Sequence, residues 1–213
     1  MIVKIGLIFI SYLLGSIPFG FVLGKLKHVD IRTLGSKNIG TTNVGRILGK
    51  KYAVLTYILD CFKGFIIVFL FRFNIINEQY CLLSPMVYGL AAVLGHTFPI
   101  FLKFKGGKAV ATSGGMILGY CPWLLLIAIL IFFSIVYLFG YVSLGSIITS
   151  TIVTICAIIL SIIEFDYILG LNVDIYFGVI SIIALLIIII RHKTNISRLI
   201  NHCESKVTWS MKK

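Results

Sequence analysis

Between Gly95 and Thr112 the chain reads GHTFPIFLKFKGGKAVAT, which sets His96, Lys103, Lys105 and Lys108 around the pair Gly106-Gly107. Cations beside backbone amides that carry no side chain make an anion site, and an apolar run after Lys108 places it at a helix N-terminus. A second stretch, GSKNIGTTNVGR from Gly35 to Arg46, sets Ser36, Asn38, Thr41, Thr42 and Asn43 among glycines, with Lys37 and Arg46 as fixed charges. Such a turn exposes backbone N–H groups and short polar side chains, and Arg46 offers a phosphate two parallel hydrogen bonds. The third, RHKTNISRLINHCE from Arg191, spaces His192, Asn195 and Arg198 close to one face of a continuing helix. His192 supplies the side chain whose ordinary pKa suits proton transfer at neutral pH.

Plainer readings stand beside these. The Gly35–Arg46 stretch also fits a solvated basic loop, Lys103 and Lys105 fit interfacial anchors, and His96 fits a structural group near a helix end. His192 likewise fits a polar cap at the membrane edge, and Asp60 with Lys63, at i and i+3, reads as an internal ion pair.

Several chemistries are excluded. The residue after Lys108 is Ala109 and position 102 is leucine, so the glycine-lysine element lacks the hydroxyl and first glycine of a nucleotide-binding P-loop. The fifth residues after the four histidines are Thr33, Phe101, Ser197 and Val207, so the H-x-x-x-x-D dyad of CoA-dependent glycerolipid acyltransferases is missing. There is no GxSxG elbow, no aspartate cluster, and no metal-ligand spacing among Cys61, Cys81, Cys121, Cys156 and Cys203. No metal and no cofactor are expected.

The elements that position these residues are membrane helices. Of the 213 residues, 59% are hydrophobic and 12% charged, the composition of a multi-span membrane protein. The formal charge of +12 would suggest nucleic acid in a soluble chain, but no soluble surface is available here, and nucleic acid is excluded as a partner. Apolar runs cover Ile5 to Gly24, Lys51 to Phe71, Cys81 to Leu102 and Ile175 to Ile190, each near the ~20 residues that cross a bilayer. The first follows Lys4 without a cleavage signature and reads as a retained helix. No charge occurs between Lys108 and Glu164, a length for two long helices and a short one, divided at Tyr120-Cys121-Pro122 and Gly140.

Lysines and arginines concentrate in Lys25 to Lys51, Lys103 to Lys108 and Arg191 to Lys213, while Glu78, Glu164, Asp166 and Asp174 lie in the other connections. The positive-inside rule puts the basic segments, at about 25–51, 95–112 and 191–213, in the cytoplasm. With the N-terminus outside, an odd number of spans is needed. The fold expected is an all-α integral membrane protein: one transmembrane domain over 1–213, a seven-helix bundle whose short fourth helix starts from Gly106-Gly107. Small residues at Gly20 and Gly24, at Ala111, Gly115 and Gly119, and at Ser146, Ser150 and Thr154 allow close helix approach.

The three segments, with LGSIPFG in the first helix, LDCFKG in the second and YVSLGSI from Tyr141, resemble the motifs of the bacterial integral-membrane acyl-phosphate:glycerol-3-phosphate acyltransferases. The resemblance runs from about Leu14 to Glu204. It implies seven helices with cytoplasmic motifs in the bacterial cell membrane, and transfer of a fatty acyl group from acyl phosphate to the sn-1 hydroxyl of glycerol 3-phosphate. The products are lysophosphatidic acid and phosphate, the first step of phospholipid synthesis, with membrane lipid as the surroundings. By the resemblance Ser36, Arg46, Lys108, His192 and Asn195 are catalytic, Gly106 and Gly107 cradle phosphate, and Asn38, Thr41, Asn43 and Ser143 bind substrate. Three places depart from the family pattern. Ala109 follows the motif lysine where glycine is common, Phe139-Gly140 precede Tyr141 where a basic residue is usual, and Asn201-His202-Cys203 precede Glu204 where a glycine is typical. The role of Glu204 stays open. The rival reading is a transporter of a phosphorylated metabolite, which also needs cations at a broken helix, although no internal repeat is visible.

Overall fold

The structure is a computed structural model that describes residues 1–163 and 173–207. Glu164 and Asp166, assigned above to an outer connection, lie outside the described residues, as do Lys212 and Lys213. The described chain forms ten α-helices: α1 (Ile2–Ser16), α2 (Phe19–Leu26), α3 (Thr41–Leu48), α4 (Lys50–Arg72), α5 (Pro85–Thr97), α6 (Val110–Tyr120), α7 (Pro122–Phe139), α8 (Val142–Ile162), α9 (Ile175–Arg191) and α10 (Lys193–Ile200). Single 3₁₀ turns occupy Glu78–Tyr80 and Ile100–Leu102. No strand occurs among the described residues.

Four segments, Lys50–Arg72, Pro85–Leu102, Pro122–Phe139 and Val142–Ile162, are long and apolar enough to cross a membrane, and six are if each bent pair counts as one span. The first bent pair is α1 with α2, which meet at 40°. Pro18 causes the break, since it has no N–H to continue the helix. The second is α9 with α10, bent by 59° at His192. The 11 residues of α6 span only about 16 Å at 1.5 Å per residue, so this is the short helix expected after the glycine pair.

Packing divides the chain into two compact units, Met1–Tyr120 and Cys121–Lys213. In the first, α4 and α6 cross closely because Gly64 rests on the Thr112 carbonyl and Gly115 on the Cys61 carbonyl, positions that no side chain fits. Ser84 caps α5 by accepting from the Met86 N–H, and Pro85 fills the first helical position. In the second unit, Gly140 ends α7 at φ 82, a left-handed backbone open to glycine at no steric cost. Thr154 Oγ1 donates to the Ser181 carbonyl at 3.3 Å and ties α8 to α9. Ser161 Oγ donates to the Asp174 carbonyl and accepts from the Gly178 N–H, both at 3.0 Å, closing the other end of the same pair. Leu126, Ile127, Leu130 and Phe133 stay exposed along α7, as a lipid-facing helix requires.

Candidate active site

In the first unit, Ile31, Ile39 and Val44 form a buried apolar base for the Lys25–Lys51 segment, against which Phe21, Tyr52 and Leu102 pack. Leu102 belongs to the second basic segment, so both segments rest on one floor. Above it the loop is held by Asn43, 1% exposed, whose Oδ1 accepts the Ser36 N–H at 2.8 Å. Its Nδ2 donates to the carbonyls of Ile31, Leu34 and Asn38 at 3.0, 3.2 and 2.8 Å. Its amide is taken up by the loop it closes, and Asn43, expected among the substrate-binding residues, organises the residues around it. Asn38 Oδ1 similarly accepts the Gly40 N–H at 2.9 Å.

What Asn43 arranges is a set of groups turned outward. Ser36 and Arg46 are exposed, Lys37 is exposed at φ 58, and neither Lys37 nor Arg46 makes an ion pair among the described residues. Arg32 is different. Its Nε and Nη2 grip the two Asp30 oxygens at 2.9 and 2.7 Å while its guanidinium lies 4.4 Å from the Phe21 ring centre. The hydrogen bond from Arg32 holds the Asp30 carboxyl well below the usual carboxylate range. The Thr41 hydroxyl oxygen is buried without a hydrogen-bond partner, a group that a ligand oxygen would satisfy.

The second segment also differs from its expectation. The Gly106 N–H donates to the Thr97 carbonyl at 3.2 Å and the Gly107 N–H to the His96 carbonyl at 3.0 Å, so these amides are not bare. The glycines are needed because a side chain on Gly106 would strike the His96 and Thr97 carbonyls and Pro99, and one on Gly107 would strike the His96 ring. Half-buried Lys108 follows, then buried Ala109 at φ 63, and α6 begins at Val110. Lys103 and Lys105 are exposed, as anchors would be.

In the second unit α9 does not run straight on: the bend at His192 turns α10 away, and the Asn195 and Ile196 N–H groups both donate to the His192 carbonyl, at 2.8 and 2.9 Å. Both His192 and Asn195 are buried nonetheless. His192 Nδ1 lies 2.8 Å from the Ile188 carbonyl oxygen. A carbonyl only accepts, so Nδ1 carries the proton and the lone pair of the neutral ring sits on Nε2. Glu204, with a side chain only 7% exposed, accepts at Oε1 from Ser143 Oγ at 3.0 Å and Asn195 Nδ2 at 2.7 Å, and at Oε2 from Arg198 Nε at 2.6 Å. Burial would raise its pKa, but the hydrogen bonds from Arg198, Asn195 and Ser143 outweigh it and hold the carboxyl below its ordinary value. The Val207 N–H donates to the Gly140 carbonyl at 2.9 Å, so the tail and the junction between α7 and α8 lie together.

Sequence reasoning put Ser36, Arg46, Lys108, His192 and Asn195 in one catalytic pocket; the structure sets Ser36, Arg46 and Lys108 in the first unit, and His192 and Asn195 at the bend between α9 and α10 in the second. Sequence reasoning missed Glu204 as the hub of Ser143, Asn195 and Arg198. The signal for it was a lone acid in a strongly basic tail.

A family profile for glycerol-3-phosphate acyltransferase matches residues 5–202. The chain belongs to that family. It is 46% identical over 208 residues to the glycerol-3-phosphate acyltransferase of Staphylococcus haemolyticus (strain JCSC1435), covering 95% of this chain and 97% of the relative. To that of Lactococcus lactis subsp. lactis (strain IL1403) it is 42% identical over 212 residues, covering 99% and 96%. Among solved structures it resembles PlsY (YgiH), an integral membrane glycerol 3-phosphate acyltransferase, in its glycerol 3-phosphate form. That match has a TM-score of 0.83 and 37% identity over 96% of this chain and 95% of the other. The lysophosphatidic acid form of PlsY matches with a TM-score of 0.81, also at 37% identity.

Proposed function

We propose that this protein transfers a fatty acyl group from acyl phosphate to the sn-1 hydroxyl of glycerol 3-phosphate, releasing lysophosphatidic acid and inorganic phosphate. The likeness to PlsY solved with glycerol 3-phosphate and with lysophosphatidic acid carries the reading, because those two molecules are its acceptor and its product. The residues supply a physical account. Acyl phosphate is a mixed anhydride with a good leaving group, so orientation and charge stabilisation suffice without a covalent intermediate. The glycerol hydroxyl attacks the acyl carbonyl, the bond from that carbonyl to phosphate oxygen breaks, and the hydroxyl proton passes to His192 Nε2 or to a substrate phosphate oxygen. Arg46, Ser36 and the orphaned Thr41 hydroxyl suit one phosphate, with Asn38 beside them. Lys108, at the turn shaped by Gly106 and Gly107, suits the departing one. Asn195 and Ser143, held by Glu204, orient groups around His192.

The acyl tail accounts for a membrane enzyme, since each CH₂ kept in lipid is worth about 0.8 kcal/mol. We place the protein in the bacterial cell membrane as a seven-span bundle, N-terminus outside and the three basic segments inside. Membrane-impermeant thiol reagents should therefore reach exposed Cys203 only from the cytoplasmic side.

Purified protein in detergent should release phosphate from acyl phosphate only when glycerol 3-phosphate is added. Passage of an unaltered phosphorylated solute into vesicles, with no phosphate release, would decide for the transporter.

A further inference from the structure

Asp60, Lys63 and His96 are 2%, 3% and 5% exposed, and the mechanism above uses none of them. Lys63 Nζ lies 2.8 Å from Asp60 Oδ1 and also donates to the Ile17 carbonyl at 3.0 Å, at the proline break where α1 gives way to α2. The same ammonium sits 5.7 Å from the Phe19 ring centre. His96 Nδ1 lies 3.6 Å from the same Asp60 oxygen. Charged groups at membrane depth face wet cavities or partners, and replacing a buried ion pair by packed apolar residues is often no loss. Helices α4 and α5 already meet through the Phe71 and Tyr88 rings, whose centres are 4.5 Å apart. Packing alone does not call for the cluster.

The far side of His96 suggests what it does. Nε2 occupies the space that a side chain on Gly107 would enter, and the His96 carbonyl accepts the Gly107 N–H. His96 thus touches the segment before Lys108 with both its ring and its backbone. From Ile17 to Lys63, Asp60, His96 and Gly107, each contact fixes the next, and the chain runs from the break leading into the first basic segment to the turn of the second.

We infer that Asp60, Lys63 and His96 are positioning residues that set the Gly106–Lys108 turn for phosphate, by pinning the His96 ring beneath Gly107. The inference rests on the acyltransferase reading, and its test is separable from that reading. His96→Asn keeps a nitrogen near Asp60 and removes the ring from under Gly107. It should raise KM for the phosphorylated substrates and weaken inhibition by inorganic phosphate about tenfold, with kcat within about threefold, in line with coupling between touching residues. Gly107→Ala should do worse alone than in combination with His96→Asn, because the absent ring makes room for the methyl. Phosphate binding, read as thermal stabilisation of the purified protein by inorganic phosphate, should weaken in His96→Asn in parallel. If wild-type protein lacks acyl transfer, the acyltransferase reading fails while the phosphate readout still tests the triad. Asp60→Asn strands the buried Lys63 ammonium and is expected to unfold, so His96→Asn and the double variant decide. Unchanged KM and unchanged phosphate stabilisation in His96→Asn, or additive losses in the double variant, would reduce the cluster to a brace between helices.

Discussion

Asn43 and Glu204 do the same job in two parts of the chain and do it with opposite electrostatics. Each is a buried side chain that gathers a short segment by several hydrogen bonds. Asn43 is neutral, so the loop it closes keeps the full charge of Lys37 and Arg46. Glu204 is ionised, and it holds the Arg198 guanidinium in an ion pair while turning Asn195 and Ser143 inward. The difference fits the roles proposed for them: a loop that receives a dianion needs its cations unspent, whereas a histidine and its neighbours need fixed directions more than net charge.

Exchanging the organiser's charge breaks the comparison hardest at Asn43. Asn43→Asp replaces a donor by acceptor oxygens facing the carbonyls of Ile31, Leu34 and Asn38. Unpaired buried charge and lost donors together cost several kcal/mol, and the new negative charge opposes phosphate. Activity should fall by more than about a hundredfold, with a lowered melting temperature even in protein that folds. Near-normal phosphate release would show that the loop does not depend on the amide.

A milder comparison sets the two arginines side by side. Arg46 makes no ion pair among the described residues and is assigned to substrate, while Arg198 is already held by Glu204. Lysine keeps the charge and loses the two-pronged grip. Arg46→Lys should therefore raise KM for glycerol 3-phosphate by about tenfold or more, and Arg198→Lys should cost at most a few-fold, since its ion pair is 42% exposed on the arginine side. Equal losses in the two variants would remove the distinction between a spent and an unspent cation.

The contrast also marks what was legible in the sequence. Helix type and the short helix after Gly106-Gly107 follow from uncharged runs and from glycine, whose effects are local, whereas the break at Pro18 was missed because Ile5 to Gly24 reads as one apolar run. The grouping of polar side chains followed less well, because Asn43 reads equally as ligand or as scaffold until its acceptors are known. The amides of Gly106 and Gly107 were misjudged for a related reason: a glycine pair signals close approach, and what approached was the His96 side of α5 rather than open space. Glu204 was invisible as a hub because Ser143 lies far from it in the chain. The partners of Lys63 were half legible, Asp60 by helical spacing and the Ile17 carbonyl not at all.

Glu204→Gln sharpens the comparison with a smaller effect. Glutamine keeps an Oε1 that accepts from Asn195 and Ser143 but sets its Nε2 donor against Arg198 Nε, so the Arg198 hydrogen bond goes with the charge, a loss of about 1–2 kcal/mol, less whatever solvent screens at the half-exposed Arg198. Activity at neutral pH should drop about fivefold or less. The pH dependence carries the sign. Glu204 titrates lower in the folded protein than in the unfolded chain, so its contribution is present above the ordinary glutamate value of about 4.3 and is lost as pH falls through the lowered value. Thermal stability of wild type and variant should therefore differ most near neutrality and converge in acid. A constant gap down to pH 3 would mean that charge is not what Glu204 contributes.

The smallest effects concern two residues that hold a left-handed backbone, where glycine would sit without strain. Ala109, next to Lys108, is left-handed at φ 63, and His202, two residues before Glu204, is left-handed at φ 54. The left-handed region costs an ordinary L residue about 1–2 kcal/mol but is several-fold enriched in histidine, so the same substitution has unequal expectations. Ala109→Gly removes that strain and adds unfolded-state freedom of about 0.5–1 kcal/mol, leaving a net gain of up to about 1 kcal/mol. That is a rise of about 2–4 °C in melting temperature for a chain of this size. His202→Gly should leave the melting temperature unchanged within error, since less strain is relieved and the same freedom is added. A larger gain at His202 than at Ala109 would reverse the ranking: the tail around Glu204 would then be the strained segment, and the turn behind Lys108 the relaxed one.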